Sequence, residues 1–384
     1  MRLKFVKYTE WEGKDQEWKL EGFSLAETNL LVGKNASGKS RILNIINALA
    51  RQLAGIDPPR LSGHYHAEFI DDDKKIYYQL KYEEEHVVEE KFSIDGKVLL
   101  ERGNDGKGII WAEEIGSSIR FQTPPSELAA VARRDTIQHG FLEPLYSWGS
   151  SLRHYYFGSA LGKGSLAIFV EKGGRKVDDR DSDAVVALYR QAEKEFNGGF
   201  KQAVMRDMSQ VGYDVEDLGV KPLVSIRIRS DLPGELVGLY VKESDLPGIT
   251  DQHSMSQGMF RVLSILVHVN YAQMAKKSTC LLIDDIGEGL DFDRSCRLID
   301  LLRNKAKMSN IQLVLSTNDR FVMNRVPLEE WSVLQRRGSH VKVLNYDNSR
   351  DLFEEFKFTG LSNFSFLEMG FANGAPAEEA VVHE

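Results

Sequence analysis

Cysteine and long apolar runs are scarce in this chain. Of its 384 residues only Cys280 and Cys296 are cysteines, and they form neither a C-x-x-C pair nor a metal-ligand spacing with histidine. We therefore expect free thiols in a reducing cytoplasm rather than a disulfide framework. No apolar run approaches the length of a membrane span, and 1–5 turns polar too soon for a signal peptide. The sequence thus predicts a cytoplasmic protein without a membrane partner.

An excess of basic charge is also lacking. The formal net charge is −8, which argues against a broad nucleic-acid-binding surface but leaves room for a local basic patch. Two interpretations of the clustered arginines stay open. They either contact nucleic acid or an acidic partner, or they are ordinary solvated surface residues, and we favour the solvated surface. The arginines concerned are Arg133, Arg134, Arg227, Arg229, Arg336 and Arg337.

The most informative stretch is a glycine-rich loop that reads G-K-N-A-S-G-K-S and matches the P-loop pattern G-x-x-x-x-G-K-[ST]. The apolar run 28–32 before it predicts a strand, and 41–53 after it carries apolar side chains at helical spacing. In that context the glycines allow backbone N–H groups to surround phosphate oxygens at a helix N-terminus, which predicts ATP as a cofactor. The expected nucleotide-binding residues are Gly33, Lys34, Asn35, Ala36, Ser37, Gly38, Lys39, Ser40 and Arg41.

A second motif supplies the carboxylates that such a loop needs. Lys39 is expected to reach the β- and γ-phosphates and Ser40 to hold Mg²⁺. The run 279–285 is apolar and ends in two carboxylates, which fits the ligand-binding edge of a parallel sheet. We expect Asp284 to bind Mg²⁺ and Asp285 to position or deprotonate the attacking water. Each motif alone is also compatible with an ordinary turn, and their pairing favours the ATPase.

Composition and periodicity divide the chain into five segments. Residues 62–104 alternate between apolar and polar, with turn signals such as Asp95-Gly96, which predicts an antiparallel β lobe. We assign 1–60 to the first part of an ATPase core with the P-loop, 61–120 to the antiparallel β lobe, 121–250 to an inserted helical or mixed lobe, 251–345 to the second part of the core and 346–384 to a C-terminal tail.

Several local expectations accompany this division. From 126 to about 157 the pattern is helical, 223–242 reads as a hairpin, and the tail from Ala372 is predicted to be disordered. Asp181, Ser182 and Asp183 are candidate caps for a helix that runs to about Phe196. An aromatic side chain near the N-terminus either stacks on adenine or, as we favour, packs in the sheet. The aromatic residues concerned are Phe5, Tyr8, Trp11 and Trp18.

A third motif, M-S-Q-G-M-F-R at 255–261, carries a family resemblance. Together with the P-loop and the acidic strand it resembles the ABC-type ATPases of the SMC, Rad50 and RecF branch, whose signature reads roughly L-S-D-G-x-x-R. Within that branch the chain looks most like the small bacterial OLD-related ATPases (AAA15/AAA21 type) of anti-phage operons, such as the ATPase subunit of PARIS- or Septu-like systems. The resemblance implies that one subunit caps the γ-phosphate bound by the other, through Ser256, Gln257, Gly258 and Arg261.

The resemblance also assigns roles elsewhere. It implies an α/β fold, an ABC/SMC-head-like P-loop ATPase with a mixed sheet, an antiparallel β lobe and an inserted helical lobe. Asn318 occupies the place of the family's switch histidine, and Gln122 that of a glutamine that contacts Mg²⁺ and the attacking water. Asp285 replaces the usual glutamate. The neutral Asn318 and the shorter Asp285 both suggest slow turnover, unless Glu288 compensates as the base. The family's D-loop corresponds to Gly289, Leu290 and Asp291.

The function implied is that of a nucleotide-gated sensor or scaffold. The family forms ATP-sandwich dimers, and a higher oligomer is also compatible with the motifs. The stretch after Asn318 is too short for a TOPRIM nuclease domain, so we expect the effector, a nuclease or toxin, to be a separate chain. The alternative is a RecF/Rad50-like DNA-repair ATPase that binds DNA directly. Salt-dependent DNA binding would favour this alternative.

Overall fold

The computed structural model describes residues 1–169, 177–225, 235–276, 280–309 and 311–371. Its strands are β1 Arg2–Glu10, β2 Trp18–Ser24, β3 Thr28–Val32, β4 Ser62–Asp71, β5 Lys74–Glu83, β6 His86–Ile94, β7 Lys97–Arg102, β8 Lys107–Ala112, β9 Ser117–Gln122, β10 Arg153–Tyr156, β11 Ala167–Phe169, β12 Val215–Pro222, β13 Glu235–Glu243, β14 Thr250–Asp251, β15 Cys280–Asp284, β16 Gln312–Ser316, β17 Trp331–Arg337 and β18 His340–Asn345. Fourteen of them form one mixed sheet, in the order β10-β15-β16-β3-β17-β18-β2-β1-β4-β5-β6-β7-β8-β9. The other four, β11, β13, β12 and β14, form a second sheet.

Helices cover the large sheet and connect its strands. They are α1 Lys39–Leu53, α2 Ala129–Ala132, α3 Glu143–Ser151, α4 Val185–Phe196, α5 Gly199–Val211, α6 Gln257–Met274, α7 Phe292–Met308, α8 Arg320–Arg325, α9 Arg350–Phe358 and α10 Ser365–Glu368, with 3₁₀ turns at Gly140–Leu142 and Leu328–Glu330. Within the part of the chain that the structure describes, none of these helices has the length and apolar character needed to cross a bilayer.

The five strands β10, β15, β16, β3 and β17 run parallel and lie side by side at one end of the large sheet. Nearly every residue of β3, β15 and β16 is buried, as expected for strands that are covered on both faces. Helix α1 packs on one face of these strands, and α6 and α7 pack on the other. Because parallel strands end at the same edge of a sheet, the loops after β3, β10, β15 and β16 come together there.

The strand and helix predicted on either side of the P-loop are confirmed, since β3 and α1 flank it. The antiparallel lobe is also confirmed. Strands β4 to β9 form a meander that continues from β1. Asp95 and Gly96, with φ of 48° and 81°, form the predicted turn between β6 and β7. The division of the chain into five segments stays a prediction.

Two local predictions in the inserted region are wrong. The range 126–157 holds only short helices and ends in a strand, β10, because parallel pairing with β15 overrides the local pattern. The second strand of the predicted hairpin, 236–241, lies within β13, which pairs with β11, β12 and β14, whereas most of its first strand falls outside the described residues. Helix α4 is preceded by Ala184 and has no side-chain cap. The predictions for Arg227, Arg229, the turn at 231–234 and the tail from Ala372 fall outside the described residues.

Candidate nucleotide-binding and catalytic site

The P-loop connects the end of β3 to the start of α1. Ala36 and Gly38 have positive φ, 61° and 110°, and the second value is one that glycine adopts without strain. Lys39 is 7% exposed, and its ammonium group donates to the carbonyl oxygens of Gly33 at 2.8 Å and Lys34 at 3.4 Å. Burial lowers the pKa of Lys39, and the charges of Asp285 and Asp284 oppose that shift. The lysine therefore lies within the electrostatic reach of both predicted carboxylates.

Arg41 follows the loop and points back to the N-terminal strands. Its guanidinium forms an ion pair with Glu10 and lies 4.4 Å from the centre of the Trp18 ring. Trp18 is 2% exposed and Tyr8 is 4% exposed, so both rings pack inside the sheet, as we favoured.

The P-loop itself contains one unpaired polar atom, because the hydroxyl of Ser37 is buried without a hydrogen-bond partner.

The two carboxylates lie at the end of β15. Asp284 is 4% exposed, and Ser316 at the end of β16 donates its hydroxyl to Asp284 Oδ1. The same hydroxyl accepts the backbone N–H of Asp285 at 3.0 Å. Asp285 has φ of 54°, a left-handed conformation that only a few per cent of non-glycine residues adopt. The Ser316 hydroxyl thus holds this unusual turn and both acidic residues together.

The surroundings of Asp285 favour proton uptake. Burial raises the pKa of the Asp285 carboxyl, the neighbouring charges of Asp284 and Glu288 raise it further, and Lys39 opposes them. Asn318 donates from Nδ2 to Asp285 Oδ1 at 3.4 Å. The structure therefore brings Asp285, Glu288 and Asn318 together, as the sequence predicts. A carboxylate in this setting is a candidate general base.

The residues at this edge fit a magnesium–nucleotide complex. Mg²⁺ in nucleotide sites binds one or two carboxylates together with phosphate oxygens and water. Asp284 supplies a buried carboxylate that is already oriented by Ser316, and Ser40 supplies a hydroxyl in the first turn of α1. Lys39 supplies a buried positive charge that interacts with both carboxylates. This donor set is oxygen-only, as a hard cation requires.

Gln122 does not lie at this edge, so its prediction as a Mg²⁺ ligand is wrong. It is the last residue of β9, the outermost strand, where it is exposed and accepts a hydrogen bond from Arg133 on its carbonyl oxygen. Nearby, Val131 packs against Gly55, just beyond the C-terminal end of α1. The P-loop is at the other end of this 15-residue helix, about 22 Å away.

The loop after β10 lies where Gln122 was expected, beside the carboxylates. The N–H of Phe157 donates to the carbonyl oxygen of Asp284 at 2.9 Å. A Cβ atom added to Gly158 would be 2.9 Å from Glu288 Oε2 and 3.2 Å from the Cβ of Asp285. Sequence reasoning missed this loop because β10 was not recognised as a strand.

The predicted signature and D-loop segments interlock. Ser256 caps α6 by accepting the N–H of Met259 at 3.1 Å. A Cβ atom at Gly258 would be 2.9 Å from the carbonyl oxygen of Gly289, so only glycine permits this approach. Leu290 packs beside it. Asp291 in turn caps α7 by accepting the N–H of Arg294 at 3.0 Å.

Arg261 ties the signature segment to both catalytic loops. Its guanidinium donates to the carbonyl oxygens of Gly158 at 2.5 Å, Ser159 at 2.9 Å and Glu288 at 2.9 Å. Gln257 contacts Ser159 as well, at 3.5 Å. Among the described residues, no hydrogen bond or ion pair joins the segment 256–261 to the P-loop of the same chain. The segment is thus positioned by the chain's own carboxylate loops and not by its P-loop.

Arg336 is a further residue at the P-loop that sequence reasoning left as solvated surface. Its guanidinium donates to the carbonyl oxygen of Ala36 at 2.9 Å and to that of Gly338 at 2.8 Å. The turn after β17, the P-loop and α10 enclose a cleft of about 470 Å³. No motif signals this contact, because it joins positions 300 residues apart.

Comparisons with known proteins identify the fold. No family model matches the chain, and no curated protein matches its sequence. The structure is similar to an SMC head domain solved bound to the C-winged helix domain of ScpA, with a TM-score of 0.54 and 12% identity over 90% of this chain and 98% of that one. Two further matches are the SMC head domain from Thermotoga maritima (TM-score 0.45, 16% identity, 90% of this chain and 99% of that one) and a Pyrococcus furiosus SMC head domain with an extended coiled coil, bound to the C-terminal domain of ScpA (0.47, 13%, 93% and 100%).

The first of these matches confirms the predicted fold class. The chain has the α/β fold of SMC head domains, which is an ABC-type ATPase fold. Identity at this level is evidence for the fold alone, since one fold hosts many functions.

Proposed function

We propose that this protein binds ATP with Mg²⁺ and hydrolyses it slowly. The observation that carries the proposal is the meeting of three motif residues at one sheet edge. Lys39 follows β3, and Asp284 and Asp285 stand at the end of β15; these two strands run parallel on either side of β16, and the charges of both carboxylates raise the pKa of Lys39 against the effect of burial. Lys39 is far from Asp284 and Asp285 in the sequence, and its proximity to them depends on the fold.

In this proposal each residue has one task. Lys39 releases the carbonyl oxygens of Gly33 and Lys34 and binds the β- and γ-phosphates. Ser40 and Asp284 hold Mg²⁺, which when bound neutralises charge on the phosphates. Asp285 accepts a proton from the attacking water, and Asn318 orients the Asp285 carboxylate. Asn318 is neutral and Asp285 is one methylene shorter than glutamate, which supports slow turnover.

The proposed site is completed by a second copy of the chain. Ser256 and the N–H groups at the start of α6 form an anion-binding helix terminus. The same chain's P-loop does not use it, whereas the γ-phosphate held by another copy would fit it. We therefore propose an ATP-sandwich dimer with two shared sites.

A lysine variant tests the ATP proposal. Lys39→Ala should abolish ATP binding in a titration of the purified protein and leave the melting temperature close to that of the wild type. Lys342→Ala, which removes an exposed lysine from β18, is the matched control and should bind ATP normally. ATP affinity that survived Lys39→Ala would show that the P-loop is not the binding site.

For the biological role we propose a nucleotide-gated sensor or scaffold that controls a separate nuclease or toxin in bacterial anti-phage defence. The slow hydrolysis proposed above would suit this role, because a long-lived ATP state suits a switch better than a motor. Expression together with the neighbouring genes of its operon, followed by mass measurement of the native complex, tests it. Recovery of a stoichiometric effector is expected, and salt-sensitive DNA binding without an effector would contradict it.

Three of the six arginines considered for DNA binding are engaged within the chain. Arg133 bonds the carbonyl oxygen of Gln122, Arg134 pairs with Glu143 at 3.4 Å, and Arg336 bonds the P-loop. Among the residues that the structure describes, these contacts give no support to the DNA-repair alternative.

A further inference from the structure

A buried histidine lies beneath the proposed metal site. His154 on β10 is 8% exposed, and both of its ring nitrogens are buried without a hydrogen-bond partner. Parallel pairing sets His154 opposite Leu282 and Tyr156 opposite Asp284, so both β10 side chains lie on the sheet face that carries Asp284. Buried polar atoms in folded proteins are nearly always paired, and an unpaired ring therefore requires a physical explanation.

The position of the ring suggests that explanation. On the inner side His154 adjoins the apolar packing between α1 and the sheet, which includes Leu282. On the outer side its ring centre is 4.3 Å from that of Tyr156, whose hydroxyl donates to Asn44 Oδ1 at 2.6 Å. Asn44 lies one helical turn after Ser40 on the same face of α1. His154 is thus placed between the apolar core and the polar layer at the edge where Mg²⁺ is proposed to bind.

We propose that His154 is a positioning residue for this Mg²⁺ ion, an inference that rests on the proposed ATPase function. A neutral imidazole has one donor and one acceptor, so one ring can orient a carboxylate and also bind a water. Ser316 already donates to Asp284 Oδ1. The N–H of His154, which has no protein acceptor, supplies through one water a second hydrogen bond to Asp284 or to the hydration shell of the ion. Groups behind the direct ligands fix ligand orientation, and their loss typically lowers metal affinity about 10- to 100-fold.

Three variants separate this role from simple packing. His154→Leu replaces the ring with an apolar side chain of similar volume and removes both ring nitrogens. His154→Gln retains a donor and an acceptor and should rescue most of the effect. The matched control is His268→Leu, because His268 is 1% exposed and packs against Tyr155 on the opposite face of β10, with ring centres 4.9 Å apart. Its Nε2 bonds the carbonyl oxygen of Ser182 at 3.2 Å, away from the nucleotide edge.

The measurement is the dissociation constant of a non-hydrolysable ATP analogue, taken at saturating Mg²⁺ and again in EDTA. For His154→Leu we expect a rise of about tenfold with Mg²⁺ and no change in EDTA. His154→Gln should stay within a few-fold of the wild type, and His268→Leu should match the wild type under both conditions. Thermal melting, recorded in parallel, should show His154→Leu at least as stable as the wild type, since it removes two unpartnered buried nitrogens.

The outcomes distinguish this inference from the function on which it rests. If the wild-type protein binds the analogue and Mg²⁺ tightens that binding equally in His154→Leu, His154 has no part in metal positioning. Equal weakening with Mg²⁺ and in EDTA would likewise overturn it, because that pattern reports a distorted P-loop. If the wild type binds no analogue under either condition, the proposed ATP binding itself is wrong and this inference falls with it.

Discussion

At the scale of single residues, Asp285 has the most unusual setting in the site. It has a left-handed backbone, is flanked by Asp284 and Glu288, and accepts a hydrogen bond from Asn318. General-base positioning typically contributes about 10²- to 10⁴-fold to a rate. Asp285→Asn should therefore keep ATP binding and lose hydrolysis by about that factor in single-turnover measurements. Glu288→Gln is the comparison; if it loses hydrolysis and Asp285→Asn keeps the wild-type rate, Glu288 is the base.

Arg336 supports the P-loop from a distant part of the chain. Its hydrogen bond to Ala36 holds a loop residue that already has positive φ. Removing it with Arg336→Ala should weaken ATP binding by roughly threefold to tenfold, the range expected for one hydrogen bond. Arg337→Ala is the matched control, since Arg337 is exposed and lines the same cleft, but no hydrogen bond joins it to the P-loop among the described residues. Equal effects of the two variants on ATP affinity would indicate a general charge effect instead.

At the scale of elements, the loop after β10 joins the signature helix to the catalytic carboxylates. A methyl group at Gly158 would meet Glu288 Oε2 and the Cβ of Asp285. Gly158→Ala should therefore displace the carboxylates and slow single-turnover hydrolysis by about tenfold to a hundredfold, with ATP affinity retained. Gly164→Ala, at a glycine with open space around its Cβ position, should leave the rate unchanged. A rate for Gly158→Ala equal to that of the control would remove this loop from the site.

The elements also show where sequence reasoning succeeds. The flanks of the P-loop, the strand β15 and the β lobe were predicted because each carries a clear period or motif. Strand β10 was missed because R-H-Y-Y follows directly on α3 and becomes buried only through pairing with β15. The predicted position of Gln122 was wrong because the order of segments along the chain does not determine whether Gln122 lies near the N-terminal or the C-terminal end of α1. His154 and Arg336 carry no motif and are visible only in the fold.

At the scale of the whole molecule, the proposal of shared sites rests on the position of the signature segment. Arg261 fixes this segment to the chain's own carboxylate loops, yet among the described residues the segment makes no hydrogen bond to the same chain's P-loop. This arrangement is expected if each nucleotide lies between the P-loop of one copy and the signature of another.

Hydrolysis by mixed variants tests this claim most directly. Chains with Lys39→Ala lack a working P-loop, and chains with Ser256→Arg lack a working signature, so each variant alone should be inactive. A heterodimer of the two has one doubly defective site and one site with the intact P-loop of the Ser256→Arg chain and the intact signature of the Lys39→Ala chain. We predict that mixing restores hydrolysis at those single sites. Absence of hydrolysis in heterodimers verified by mass would contradict the shared-site account.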